Sequence, residues 1–167
     1  MANDRANIIV GAGTLKVDGV DVGYTEDGVS ITVEREYYDV EADQSICILE
    51  KKKIREKVRL VTNILEATLE NLKIVFGIGN AVATVSGVKT LSFGGDTGVA
   101  EHLLVFTGKA PGGFVRTFTA YKAVSIESGE HGYKKGEKTV VPVTFELIED
   151  AGKTAGMRYG SFSDTIA

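Results

Sequence analysis

Glycine-centred turns recur at short intervals along the 167-residue chain, and that rhythm restricts the fold more than any other feature. They fall in VDGVDVG (17–23), EDG (26–28), GIGN (77–80), FGGDTG (93–98), GKAPGG (108–113) and SGEHGYKKGE (128–137). Twenty glycines stand against two prolines, and the segments between turns are rich in Val, Ile, Thr, Tyr and Phe. Short β-branched segments punctuated by such turns predict a mainly β fold, a two-sheet sandwich or open barrel. The length suits one domain over 1–167, with no repeat or linker to mark a second.

Alternation refines this reading. Val29, Ile31 and Val33 fall on one face of a strand, and Ser30, Thr32, Glu34 and Glu36 on the other. Val141, Val143, Phe145 and Leu147 repeat the pattern, while Pro142, lacking an N–H, places that strand at an edge or a bulge. Residues 99–107 and 114–127 read as strands that are apolar on both faces in places. One stretch breaks the β rhythm. NILEATLENLKIVFG (63–77) sets Leu65, Leu69, Leu72 and Phe76 on one helical face. Asn63 is the expected N-cap, Glu66 closes a capping-box pattern, and Gly77 suits the C-terminal left-handed position, giving about three and a half turns of flanking helix.

The segment LEKKKIREKVRL (49–60) holds eight charged residues in twelve, six of them basic. A nucleic-acid grip is one reading, but the net charge of −4 argues against the basic field that phosphate binding needs. Ile54, Val58 and Val61 fit a helix, whereas Arg55, Lys57 and Arg59 fit one face of a strand. The β-branched ending VRLVT and the following cap residue favour the strand. Residues 34–43 carry five acids and one base, residues 50–59 six bases and two acids, and QSICIL (44–49) joins them. That layout predicts a long antiparallel hairpin with Glu34 and Glu36 across from Lys57 and Arg59, each pair contributing ~0.2–1 kcal/mol. Strands of about 14 residues reach roughly 45 Å, beyond what one small sandwich covers. Their open edges invite another chain, and closure into a ring removes them.

Catalytic and cofactor patterns do not assemble. VGAGTLK (10–16) has two glycines of a dinucleotide fingerprint, but Lys16 holds the third position and a turn follows where a helix is needed. GKAPGG lacks the spacing and the Ser/Thr of a phosphate-binding loop. His102 reads as a satisfied, partly buried strand residue and His131 as a turn residue facing solvent, with no zinc pattern around either. Cys47 is alone, so no intrachain disulfide or cysteine cluster exists. Asp18, Asp21, Glu26 and Asp27 lie close in sequence without calcium-loop spacing and read as turn formers. The expectation is a protein without enzyme activity, metal or cofactor. No apolar run approaches the ~18–20 residues that span a bilayer, and MANDRANIIVGAG lacks a secretory signal pattern, so cytoplasmic synthesis is expected.

The order GTLKVDGVDVGYTEDGVSITVEREYYDVEADQS, a charged strand, then TNILEATLENLKIVFG resembles the tail tube (major tail) proteins of long-tailed bacteriophages. The marks are Gly23 and Gly28 around a turn before a strand, DQS at 43–45, and Asn63, Glu66, Thr68, Leu69, Glu70, Asn71 and Leu72 in the helical segment. The match is best over 11–77 and looser over 80–150. The resemblance implies a β-sandwich that assembles as stacked hexameric rings, forming a hollow virion tail tube through which DNA passes without sequence-specific binding. It implies assembly in the bacterial host cytoplasm and contacts with tape measure, tail terminator and distal tail proteins, with no membrane partner. Ser30, Thr32, Glu34, Glu36, Arg55, Lys57 and Arg59 are then expected to face the lumen as a carboxylate-rich lining, and residues 1–10 and 151–167 to be flexible arms between rings. The alternatives are the tube of a contractile tail or type VI-like injection machine, and a monomeric β-sandwich protein-binding module.

Overall fold

The computed structural model describes residues 4–95, 98–127 and 129–166. In chain order the strands are β1 (Thr14–Val17), β2 (Val20–Asp21), β3 (Thr25–Val40) and β4 (Glu50–Ile64), followed by the helix α1 (Leu69–Val75). A small hairpin β5 (Ala83–Val85) and β6 (Val88–Thr90) comes next, then β7 (His102–Lys109), β8 (Val115–Ser125), β9 (Val141–Leu147) and β10 (Gly160–Thr165). Apart from the β5–β6 pair, the strands form one antiparallel sheet in the order β2-β1-β7-β8-β9-β4-β3, with β10 also on β8.

The first and last strands of that path are joined by residues 22–24 alone. Four Cα steps span at most about 14 Å, so the sheet must curl until its ends nearly meet. The result is the expected mainly β, sandwich-like open barrel around one core. Leu15 and Val17 of β1, Leu104 of β7, Leu60 and Ile64 of β4 and Phe145 of β9 are buried in a single cluster. The β9 alternation is as the sequence predicts, with Val141, Val143, Phe145 and Leu147 all inward. Pro142 lies opposite Asn63 of β4, in the part of β9 that β8 does not reach, so its missing N–H breaks no ladder.

Residues 49–60 are strand, as the β-branched run indicates, but the helix differs from its expected span. Asn63 and Ile64 still belong to β4. Asn63 sits in register between Glu26 and Pro142, its amide donates to Asp27 Oδ2 at 3.1 Å, and Ile64 is in the core. Ladder pairing and burial on this central strand outweigh the cap propensity of Asn63. The N-cap is Thr68, whose hydroxyl accepts from the Asn71 N–H at 3.1 Å. Two turns remain, and they bury Asn71, Leu72 and Val75. Of the expected packing face, Leu72 is buried and Leu69 packs against the core, whereas Leu65 precedes the helix and Phe76, at the C-cap, is exposed. Glu66 also leaves its expected role and accepts from the Tyr24 N–H at 3.1 Å. Gly77 does adopt the left-handed conformation, at φ +62°.

EDG (26–28) is a bulge inside β3 and not a turn between strands. Glu26 opposes Asn63 and Val29 opposes Thr62, leaving Asp27 and Gly28 extra, both at positive φ. The C-terminal arm expected over 151–167 is built into the sheet at 160–165, where β10 pairs with β8 and Phe162 stacks on Phe118 at 4.7 Å. Gly160 permits this approach: a Cβ there would lie 2.2 Å from the Thr119 carbonyl oxygen. In the other expected arm, 5–7 form a 3-10 turn and 8–13 belong to no strand. Residues 1–3 and 167 of the two arms, and Asp96, Thr97 and Ser128 of two expected turns, lie outside the described residues.

Two substitutions separate these contributions. Leu60→Ala, at a fully buried site, is expected to cost about 2–5 kcal/mol in urea unfolding, and Thr68→Ala about 1 kcal/mol through the lost cap. Asn63→Ala, which the sequence pattern alone ranks as the cap mutation, leaves helix content unchanged by circular dichroism.

Candidate assembly surface

The β3–β4 hairpin is anchored at one end only. β9 pairs with β4 over Arg59–Ile64, and from Val58 onward β4 buries Val58, Leu60, Thr62 and Ile64 in alternation. Beyond that point residues 33–38 and 50–55 are exposed on both faces of the ribbon. The eight residues 33–40 of β3, at ~3.3 Å each, make a projection of roughly 26 Å. Among the described residues no strand pairs with the outer edge of β3, or over 50–58 with the edge of β4 that faces away from β3.

The register sorts the charges. Thr32, Glu34 and Glu36 face Arg59, Lys57 and Arg55, and Ser30 faces Val61, so all seven sequence-predicted residues share one side of the ribbon. Glu34 stands opposite Lys57 as expected. Glu36 stands opposite Arg55, not Arg59, because partner numbers fall along an antiparallel pair and Glu34 opposite Lys57 places residue 55 across from Glu36. Arg59 instead reaches diagonally to Glu34 at 3.1 Å and across to Glu146 of β9 at 3.2 Å, while Arg55 lies 3.7 Å from Glu36. The face therefore mixes both signs, with Arg55, Lys57 and Arg59 beside Glu34 and Glu36, and is not the carboxylate-rich surface the acidic block alone suggests. On the other side Arg35 and Lys53 both donate to Glu56 at 2.8 Å. These two hydrogen bonds, that from Lys53 first, hold the Glu56 carboxyl below the ordinary glutamate range, and the bond to Glu56 raises the Arg35 guanidinium. A bidentate Arg116–Asp164 pair at 2.6 and 2.7 Å does the same between β8 and β10, lowering Asp164.

Apolar groups that sequence reading missed lie on the same projection. Tyr37 and Tyr38 are adjacent, so one shows on each face, and both are more than half exposed. Ile54 is the extra residue of a bulge, between Glu36–Arg55 and Tyr37–Lys53, and is 64% exposed. The connector adds Ile46, Ile48 and Leu49, all exposed, beside the exposed Cys47. The signal was present as apolar residues inside a charged block, but only the register reveals that nothing among the described residues covers them.

The other polar candidates are structural. The turn carboxylates are dispersed: Asp18 binds His102 Nδ1 at 2.7 Å and the Leu103 N–H at 2.8 Å, Asp21 accepts from the Gly23 N–H, and Asp27 holds Asn63. His102 is more buried than expected and not fully satisfied: among the described residues its Nε2 has no partner, and the ring meets Phe145 edge-on. His131 does not simply face solvent, since its Nε2 lies 2.8 Å from the Tyr133 hydroxyl. Residues 14–17 after the glycine pair are strand β1, without the helix a dinucleotide needs. Among the described residues no three His, Cys, Asp or Glu are grouped to hold a metal ion, and no helix is long and apolar enough to cross a membrane.

No family model matches the chain, and no curated protein matches it. Among solved structures the chain is similar to one in "Cryo-EM structure of the anti-feeding prophage (AFP) baseplate, 6-fold symmetrised", at 14% identity and a TM-score of 0.46, covering 99% of this chain and 97% of that one.

Because the folded-state values of Glu56 and Asp164 are depressed, their stabilising contribution is complete above the unfolded carboxylate range and is lost as pH falls through the depressed values. Denaturant midpoints are expected to drop on acidification through that window. In Glu56→Gln the acid limb becomes shallower, by a small amount because these pairs are solvent-screened.

Proposed function

We propose that this chain is a structural subunit of a phage-type tail that self-assembles side by side into closed rings. The observation that carries the reading is the projecting half of the β3–β4 hairpin, which leaves strand edges unpaired and apolar side chains uncovered. An isolated two-stranded ribbon is marginal in water, and a long unpaired edge is a template for another strand. Lateral addition of identical ribbons satisfies both needs. The acidic row of β3 in one copy then meets the basic row of β4 in the next, a head-to-tail contact that closes into a ring when the rotation per copy allows. Stacked hexameric rings with the Ser30–Glu36 and Arg55–Arg59 face turned to the lumen make the tail tube that the sequence resemblance implies. On this face Glu34 and Glu36 engage Arg59 and Arg55, so DNA phosphates meet a mixed-sign lining and not a continuous cationic one, and the genome slides. Tape measure, tail terminator and distal tail proteins are the partners of such a tube, and no catalytic step is required of it.

Size-exclusion chromatography with light scattering, followed by negative-stain microscopy, tests the reading. Rings or tubes with an open centre are expected. A monodisperse monomer over the accessible concentration range contradicts self-assembly and favours a protein-binding module; a contracting sheath around the tube in infected cells assigns it to the contractile machines. Reversing Glu34→Lys with Glu36→Lys turns attractive rows into repulsive ones. The concentration needed for assembly is then expected to rise by about an order of magnitude, equivalent to ~1.4 kcal/mol, with the monomer's circular dichroism unchanged. The defect shrinks in high salt.

A further inference from the structure

A second place in the fold is built to receive a strand. β8 pairs with β10 along Val115–Ala120 and with β9 along Ala123–Ser125, both antiparallel, so β10 resumes the lane that β9 leaves. β4 accompanies β9 only from Arg59 onward; over 50–58 it diverges from β10. The unpaired edges of β10 and β4 thus flank a cleft of about 480 Å³, floored by Ile31, Val58, Phe118, Leu147 and Phe162. The Tyr159 hydroxyl crosses it and donates to the Glu56 carbonyl at 3.1 Å, an edge group that strand pairing otherwise fills. The charges around the cleft are already paired within the chain: Arg35 and Lys53 with Glu56, and Arg158 with Glu149. The slot therefore has an apolar floor under a rim whose three cations and two carboxylates are already engaged with one another, and the floor suits an apolar extended segment.

The chain itself carries such a segment. Residues 6–13, ANIIVGAG, have no charged side chain, and Ile8, Ile9 and Val10 are 71%, 44% and 78% exposed. Among the described residues, 9–13 make no backbone–backbone hydrogen bond. Two β-branched isoleucines and a valine with unpaired backbone form a strand in search of a sheet. Their own cleft is out of reach. From Thr14 on β1 the lanes run β7, β8, β10 and then the slot, four spacings of ~4.8 Å, or roughly 19 Å around a filled core. Val10 to Thr14 is four Cα steps, at most about 14 Å.

We propose that the segment Ile8–Val10 of one copy inserts as a strand into the cleft between β4 and β10 of a second copy, tying neighbouring subunits together. This rests on the self-assembly reading, and the test separates the two. In a Cys47→Ser background, Val10→Cys and Ser161→Cys are made on separate chains, mixed, assembled and oxidised. Disulfide-linked dimers requiring both substitutions are expected on non-reducing gels. Val10→Asp, at an exposed position, is expected to leave the monomer's melting temperature unchanged while lowering the assembled fraction at least tenfold. Assembled rings with no such crosslink, or with Val10→Asp assembling normally, overturn the strand insertion and leave self-assembly standing. An intrachain bond when both cysteines share one chain, seen at a dilution where only monomer exists, also overturns it. A chain that stays monomeric under all conditions overturns both.

Discussion

Backbone N–H and C=O groups along the outer edge of β3 and the distal edge of β4 have no partner strand among the described residues, and the account turns on that deficit. The core is a curled sheet that β4 enters only from Val58 onward, where buried residues begin to alternate. Everything further out is a two-stranded ribbon with water on both faces. Cross-strand ion pairs such as Arg35–Glu56 and Lys51–Asp39 hold its two strands in register, but exposed pairs contribute little to stability. Register control without much stabilisation is what a ribbon waiting for neighbours requires. It stays in alignment and still exposes its edges.

The rest of the fold prepares that ribbon. Curling is imposed by the three-residue link between β2 and β3, which draws the two ends of the sheet together and puts β3 on the outside with one edge bare. The bulge at Asp27 and Gly28, with the Thr62 hydroxyl donating to the Gly28 carbonyl at 2.8 Å, lies within the body, ahead of Val29 and Ile31, which still pack against the core. A second bulge at Ile54 redirects the ribbon halfway along its free length. Asn71, donating to the Val22 and Glu66 carbonyls, fastens the short helix over the β2–β3 link and keeps that end closed.

Much of the strand content was legible in the sequence, because period-2 alternation survives wherever one face is buried: β9 and the proximal half of β3 read directly from Val141–Leu147 and Val29–Glu36. The charged blocks also revealed the hairpin, since complementary rows leave a compositional trace. Legibility failed where tertiary contacts overrode local preference. Asn63 has the residue type of a helix cap, yet the ladder to Glu26 and Pro142 makes it strand. EDG has the composition of a turn, yet it is absorbed as a bulge because β3 continues on both sides of it. The tail at 160–165 shows weak periodicity because β10 is an edge strand with one neighbour, so burial imprints little pattern on Ser161, Ser163 and Asp164. The cleft beside it was invisible, being made by two strands about a hundred residues apart that fail to pair.

Hydrogen–deuterium exchange read as a function of protein concentration tests the central claim most directly. If neighbours complete the sheet, outward-pointing amides along 33–40 and 50–58 exchange quickly in dilute protein and become protected as assembly proceeds, while core amides in β8 and β9 stay protected throughout. Rapid exchange over 33–40 and 50–58 that is the same in dilute and concentrated samples would mean the ribbon is never covered, and the account would fail.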